Sequence, residues 1–179
     1  MFILKPTENQ LFKAYSFMKK YKDGGYGKNV LGVSNSEFYH FIRIGKLCEI
    51  VFTDYLINQD IKIDNADMLI PHVGEFRHGS DFTLLSTNQS VDIKAGNKPF
   101  HVRLLVREDQ FRAHIHDLYI GVKWVSDEKI EIYGYVTGEE LKKIKPFNFG
   151  TGLCRHIKLN NLKPIEKLIS LAKKEMLVK

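Results

Sequence analysis

The order of apolar and polar residues divides the chain into a helical beginning, a stranded middle and a mixed end. Two helices are predicted first, over about 8–20 and about 36–58, each announced by a capping box, Thr7-x-x-Gln10 and Ser34-x-x-Glu37. In the second, at about 100° per residue, Phe38, Ile42, Gly45, Phe52 and Leu56 fall on one stripe. Arg43, Lys46, Asp54 and Asn58 fall on the far side, as a surface face would. From about 68 to 136 the pattern shortens to strand length, with candidates at 68–74, 81–86, 90–95, 101–106, 117–124 and 130–136. Thr137-x-x-Glu140 then caps a short helix, 146–152 reads as loop, and a C-terminal helix is predicted from Asn161 onward. Helices on either side of a central run of strands predict a mixed α/β domain.

Composition narrows the class. The 179 residues are 44% hydrophobic, enough for a core and the size of a single domain. No apolar run approaches the roughly 18 residues that span a bilayer, and the opening Met1-Phe2-Ile3-Leu4-Lys5-Pro6 is too short for a signal peptide. The expectation is a soluble, cytoplasmic protein without a membrane partner. Cys48 and Cys154 are the only cysteines, which predicts free thiols and excludes a zinc-type cysteine cluster. The excess of 27 Lys and Arg over 21 Asp and Glu, a net charge of +6, suits a polyanionic partner.

Two features carry chemistry. In Ser90-Val91-Asp92-Ile93-Lys94, strand alternation sends Val91 and Ile93 to one face and Asp92 and Lys94 to the other. Asp81 precedes this triplet by a hairpin's length. Glu49 falls inside the apolar stripe of the second helix, where a lone carboxylate is costly unless paired, protonated or bound to a cation. Two readings stand: Glu49 pairs with a nearby Lys or Arg, or it points toward Asp81, Asp92 and Lys94. Two carboxylates, Asp81 and Asp92, with the Ile93 carbonyl suit Mg2+, which takes oxygen ligands. Lys94 would then orient an attacking water, and Glu49 would bind a second ion or hold a water beside the first.

Glu49 within Arg43-Ile44-Gly45-Lys46-Leu47-Cys48-Glu49, then Asp81, then Asp92-Ile93-Lys94-Ala95-Gly96, resembles the PD-(D/E)xK superfamily of restriction-endonuclease-like nucleases over about residues 36–136. Asp81 matches the first acid, Asp92 the second, Lys94 the lysine and Glu49 the helix acid. Ser80 stands where that pattern names a proline. The resemblance implies an α-β-β-β-α-β core with a mixed central sheet flanked by helices, plus N- and C-terminal helices. It implies a single nuclease domain: a helical extension over 1–33, a catalytic core over 34–136 and a helical part over 137–179. It also implies Mg2+ dependence with Mn2+ able to substitute, DNA as partner, and a homodimer like that of a small type II restriction endonuclease. A Holliday-junction resolvase or repair nuclease is the related alternative. A non-cleaving nucleic-acid-binding protein of the same fold is the alternative from another class.

Other candidates are weaker. His114 and His116, with His101 nearby, would share a strand face suited to zinc, but no third ligand stands out. His78 lies near Asp81 in sequence. The stretch Gly24-Gly25-Tyr26-Gly27-Lys28 lacks the spacing of a phosphate loop and reads as a turn. Lys142, Lys143, Lys145, Arg155, His156 and Lys158, interleaved with Phe147 and Phe149, form either a solvated basic face or a set of phosphate contacts. Arg103, Arg107 and Arg112 have no assigned role.

Overall fold

The computed structural model describes residues 1–24, 33–64, 79–150 and 152–177. In chain order the elements are β1 (Phe2–Leu4), α1 (Glu8–Asp23), α2 (Asn35–Ile57), β2 (Ile63–Asp64), β3 (Phe82–Leu84), β4 (Gln89–Gly96) and β5 (Arg103–Arg107). There follow α3 (Glu108–Ala113), β6 (Leu118–Ser126), β7 (Lys129–Thr137), α4 (Gly138–Lys142), β8 (Phe147–Asn148), β9 (Leu153–Lys158) and α5 (Ile165–Leu177). The expected strand at 68–74, His78 and most of the glycine-rich stretch lie outside the described residues. No described helix is long and apolar enough to cross a membrane.

The architecture is mixed α/β. Six strands form one sheet in the order β1-β7-β6-β4-β3-β2, and β5-β9-β8 form a second. Among the described residues all pairings are antiparallel except β4 with β6, which run parallel in the register Asp92↔Tyr119 and Lys94↔Gly121. A parallel neighbour requires a crossover, and here β5 and α3 supply it.

Two apolar layers cover the large sheet. On one face Val91, Ile93, Leu118, Ile120 and Val122 pack with Leu47, Cys48, Val51 and Phe52 of α2 and Ile165 and Leu168 of α5. On the other, Tyr119 and Val136 pack with Leu104 and Val106 of β5, Phe111 of α3 and Leu162. The second sheet therefore lies over the first with one face buried and one open.

The helix caps form as predicted at Thr7 and Thr137, where the hydroxyl and the side chain three residues on satisfy each other's backbone N–H groups. Gln10 of the first cap also donates to Asp54 Oδ2 at 2.7 Å and so ties α1 to α2. Gly134 sits at φ 149°, and a Cβ there would collide with the Lys163 carbonyl oxygen. Its absence lets Tyr135 and Lys163 exchange two 2.9 Å backbone hydrogen bonds, which dock the lead into α5 against β7.

Several expectations are corrected. The 1–33 segment is not purely helical: β1 completes the sheet edge beside β7. Residues 137–179 are not purely helical either, because β8 and β9 build the second sheet there. The buried side of α2 centres on Ile44, Leu47, Cys48, Val51 and Phe52, with Ile42 and Gly45 only partly buried. Its C-terminal half is enclosed on most sides, since α1 covers part of what a two-sided pattern assigns to water.

Candidate active site

β3 begins at Phe82, opposite Val91, so β4 from Asp92 onward has β6 on one side and no described strand on the other. Near that open edge the four sequence candidates come within electrostatic reach of one another. Alternation on β4 holds: Val91 and Ile93 are buried beneath α2, and Asp92 and Lys94 share the opposite face with Tyr119.

Asp81 sits at the entrance to β3. Its N–H donates to the Val91 carbonyl at 2.9 Å, and its Oδ2 accepts from the Ile93 N–H at 2.6 Å. Asp92, only 9% exposed, holds the Lys94 ammonium through Oδ2 at 2.7 Å. Glu49 reaches the same edge from α2 and is ion-paired with Lys46 one turn before it. Lys46 also lies 4.4 Å from the centre of the Phe17 ring of α1.

The charges act on one another. Burial pushes the Asp81 carboxyl well above the usual carboxylate range, and the neighbouring Glu49 and Asp92 charges push it further. The Ile93 N–H and Lys94 offset only part of this. Burial likewise raises Glu49, with Lys46 opposing and Asp92 adding to the rise. Burial would lower Lys94, but Asp92 beside it, with Asp81 and Tyr119, more than offsets this and holds it charged. The neighbouring acids and burial thus make charge on Asp81 and Glu49 costly, which a cation bound beside them would relieve.

Both readings of Glu49 therefore coexist, since it pairs with Lys46 and lies within electrostatic reach of Asp81 and Asp92. Lys46 is not on the surface as its helical position suggested; its side chain is 12% exposed. Its spacing of three residues before Glu49 was the available signal. Tyr119 went unnoticed because its place beside Asp92 follows from the parallel register, which one strand's sequence does not contain.

His114 and His116 do not lie on a strand but in the connection from α3 to β6, with ring centres 4.6 Å apart. His116 is buried, its backbone N–H donates to the Tyr119 hydroxyl at 3.1 Å, and among the described residues its Nδ1 has no hydrogen-bond partner. His101 instead closes a turn, its Nδ1 accepting from Asn97 and Lys98 N–H groups at 3.0 and 3.2 Å. Among the described residues no three His, Cys, Asp or Glu side chains form a ready-made metal-binding group.

The arginines without an assigned role find local partners: Arg107 with Asp109, Arg112 with Glu108, and Arg103 with His156. Arg155 is structural. It grips buried Glu108 through two nitrogens, donates to the carbonyls of Leu141, Lys142 and Ile144, and stacks 4.6 Å from the Phe111 ring centre. A 730 Å3 cavity between α1 and α2, lined by Tyr15, Lys19, Lys22 and Tyr39, lies along α2 away from the carboxylates.

Comparison of the chain with protein-family models, with curated proteins and with solved structures finds no match in any of the three.

Proposed function

We propose that this protein is a divalent-metal-dependent deoxyribonuclease with a restriction-endonuclease-like core, acting as a homodimer on duplex DNA. The observation that carries the reading is that Glu49, Asp81, Asp92 and Lys94 act electrostatically on one another beside the open edge of β4. There Asp81 and Glu49 are held above their ordinary pKa by burial and by the carboxylates beside them.

The element order supports it. A long helix, α2, precedes an antiparallel run β2-β3-β4, and a crossover through α3 leads to β6, parallel to β4. This reads as α-β-β-β-α-β, with β5 departing into the second sheet. The donor set also fits a hard cation. Mg2+ takes one or two carboxylates plus other oxygens, and a carboxylate cluster in which charge is costly is suited to receive it. Asp81, Asp92 and the Ile93 carbonyl would hold Mg2+, or Mn2+ in its place, and Glu49 would serve a second ion or an outer water. When bound, the ion would supply Lewis-acid activation of the scissile phosphate and of the attacking water.

The protein's own groups do the rest. Lys94, charged and fixed by Asp92, places a positive charge where the phosphate gains negative charge and orients the water by hydrogen bonding. Lys46, paired with Glu49, opposes the burial that raises its pKa and holds it at the site. Ile93 fixes the Asp81 carboxylate through its N–H. Two protomers would supply one such site to each strand of a symmetric target.

The test is incubation of the purified protein with supercoiled plasmid and Mg2+. Nicked and linear products that disappear on Asp92→Ala or Lys94→Ala support the proposal. DNA that stays intact with both Mg2+ and Mn2+ overturns it.

A further inference from the structure

The second sheet has an open face that the proposed chemistry does not use. Leu104 and Val106 of β5 point inward and are 1% exposed, so Arg103 and Leu105 point outward. The register pairs Arg103 with Lys158 and Leu105 with His156, and Phe147 of β8 lies across from Cys154. On this face three aromatic rings gather in solvent. Phe147 and Phe149 are 4.9 Å apart between centres, and Phe149 is 5.1 Å from His156. Phe147 is 57% exposed and Phe149 37%, far more than a ring serving only the core.

The face is mainly basic: Asp109 answers Arg107 at the Cys154 end, and the other charges borne by its strands are cations. The strands Arg-Leu-Leu-Val-Arg, Phe-Asn and Leu-Cys-Arg-His-Ile-Lys contain no acid, and exposed Lys145 leads into β8. Arg103 Nη1 lies 3.1 Å from His156 Nδ1. That contact fixes Nδ1 as the acceptor and the imidazole as a neutral ring, in line with a pKa lowered by burial and by Arg103. An apolar interface with a second protein would leave these cations without counter-charges. A nucleic-acid strand offers both a π-face for each ring and a phosphate for each cation. Only unpaired bases can lie flat on such rings.

We infer that the outer face of β5-β9-β8 is a stacking platform for single-stranded nucleic acid, with Phe147, Phe149 and His156 taking bases and Arg103, Lys145 and Lys158 taking phosphates. The platform does not depend on the nuclease reading, because it shares no residue with the β4 edge and needs no metal.

The test is fluorescence anisotropy of a labelled oligothymidylate of about 20 nucleotides, titrated with the full chain in EDTA, so that cleavage plays no part. Saturable binding should weaken about 5- to 100-fold in Phe147→Ala and in Phe149→Ala, the range expected for loss of one base–aromatic stack. Phe147→Tyr should keep the affinity and Phe147→Leu should not. Both phenylalanines are exposed, and unchanged thermal unfolding of the variants will show that binding alone was altered. Affinity equal in wild type, Phe147→Ala and Phe149→Ala overturns the inference. So does self-association of wild type that these substitutions abolish while oligothymidylate binding stays the same.

Discussion

Asp81 accepts a 2.6 Å hydrogen bond from the Ile93 backbone N–H, so an acidic side chain takes up a strand-edge donor where β3 gives no strand partner. The bond fixes one carboxylate oxygen, and the charges of Glu49 and Asp92 act on the same group. It links the acid that opens the hairpin to the middle of the Asp-x-Lys strand.

That link separates charge from geometry. Asp81→Asn keeps an oxygen for the Ile93 N–H while removing a charge that burial and two carboxylates oppose. The variant should lose Mg2+-dependent cleavage yet be as stable as wild type or more so, by about 1 kcal/mol. Asp81→Ala strips the N–H of its partner and should be less stable than Asn by about 1–3 kcal/mol. Urea unfolding of the three proteins, beside a plasmid-nicking assay, measures both effects.

Lys94 is held charged at the site, and its role is read through rate. Lys94→Ala should slow cleavage about 100- to 1,000-fold, the usual cost of one transition-state-stabilising donor. Duplex binding should change far less. A parallel loss of binding and of rate would assign Lys94 to holding DNA instead.

Arg155 predicts a stability effect remote from any activity. Its loss leaves Glu108 buried with Arg112 alone and frees three carbonyls. Arg155→Met should destabilise the fold by about 3 kcal/mol, as breaking a buried ion pair does. Arg155→Lys should rescue little, because an ammonium cannot reproduce the fork that grips Glu108. Denaturant midpoints at constant slope decide this.

Glu140 supplies a pH signature. Its carboxyl is pulled down to about 2, first by Lys163 at 2.7 Å and then by the Thr137 cap. A depressed folded-state pKa gives stability that is complete above the ordinary value of 4.5 and fades as pH falls toward 2. Glu140→Gln retains the cap but loses the charge, so it should be less stable by under about 1 kcal/mol at pH 7, since the pair is half exposed. The gap should close progressively below about pH 4.5. A constant difference across that range would assign the effect to packing.

How much of this was legible in the sequence depended on the range of the forces involved. The caps at Thr7 and Thr137 and the alternation of Val91, Asp92, Ile93 and Lys94 are local, and they form as read. β1, β2, β8 and β9 are short strands whose existence rests on distant partners, such as Arg103↔Lys158, and no local pattern marks them. The stripe on α2 holds at Phe38, Phe52 and Leu56 but misses Ile44, Leu47, Cys48 and Val51, because periodicity assumes one buried side whereas α1 and the sheet enclose this helix from two. Lys46 was assigned to water for the same reason. Chain order brought Glu49, Asp81 and Asp92 to notice, but their proximity rests on where β3 begins, which a linear reading does not fix.

The two thiols lie in different places: Cys48 of α2 is sealed against the main sheet, and Cys154 is buried on β9 of the second sheet. Burial raises both pKa values, so each is inert to alkylating reagents until its surroundings open. Each is therefore a built-in clock. The labelling rate of Cys48 times the opening of the main core, and that of Cys154 times the opening of the outer face where β8 pairs with β9. Rates that diverge under mild denaturant would show the β8–β9 edge opening as a separate unit above a closed core.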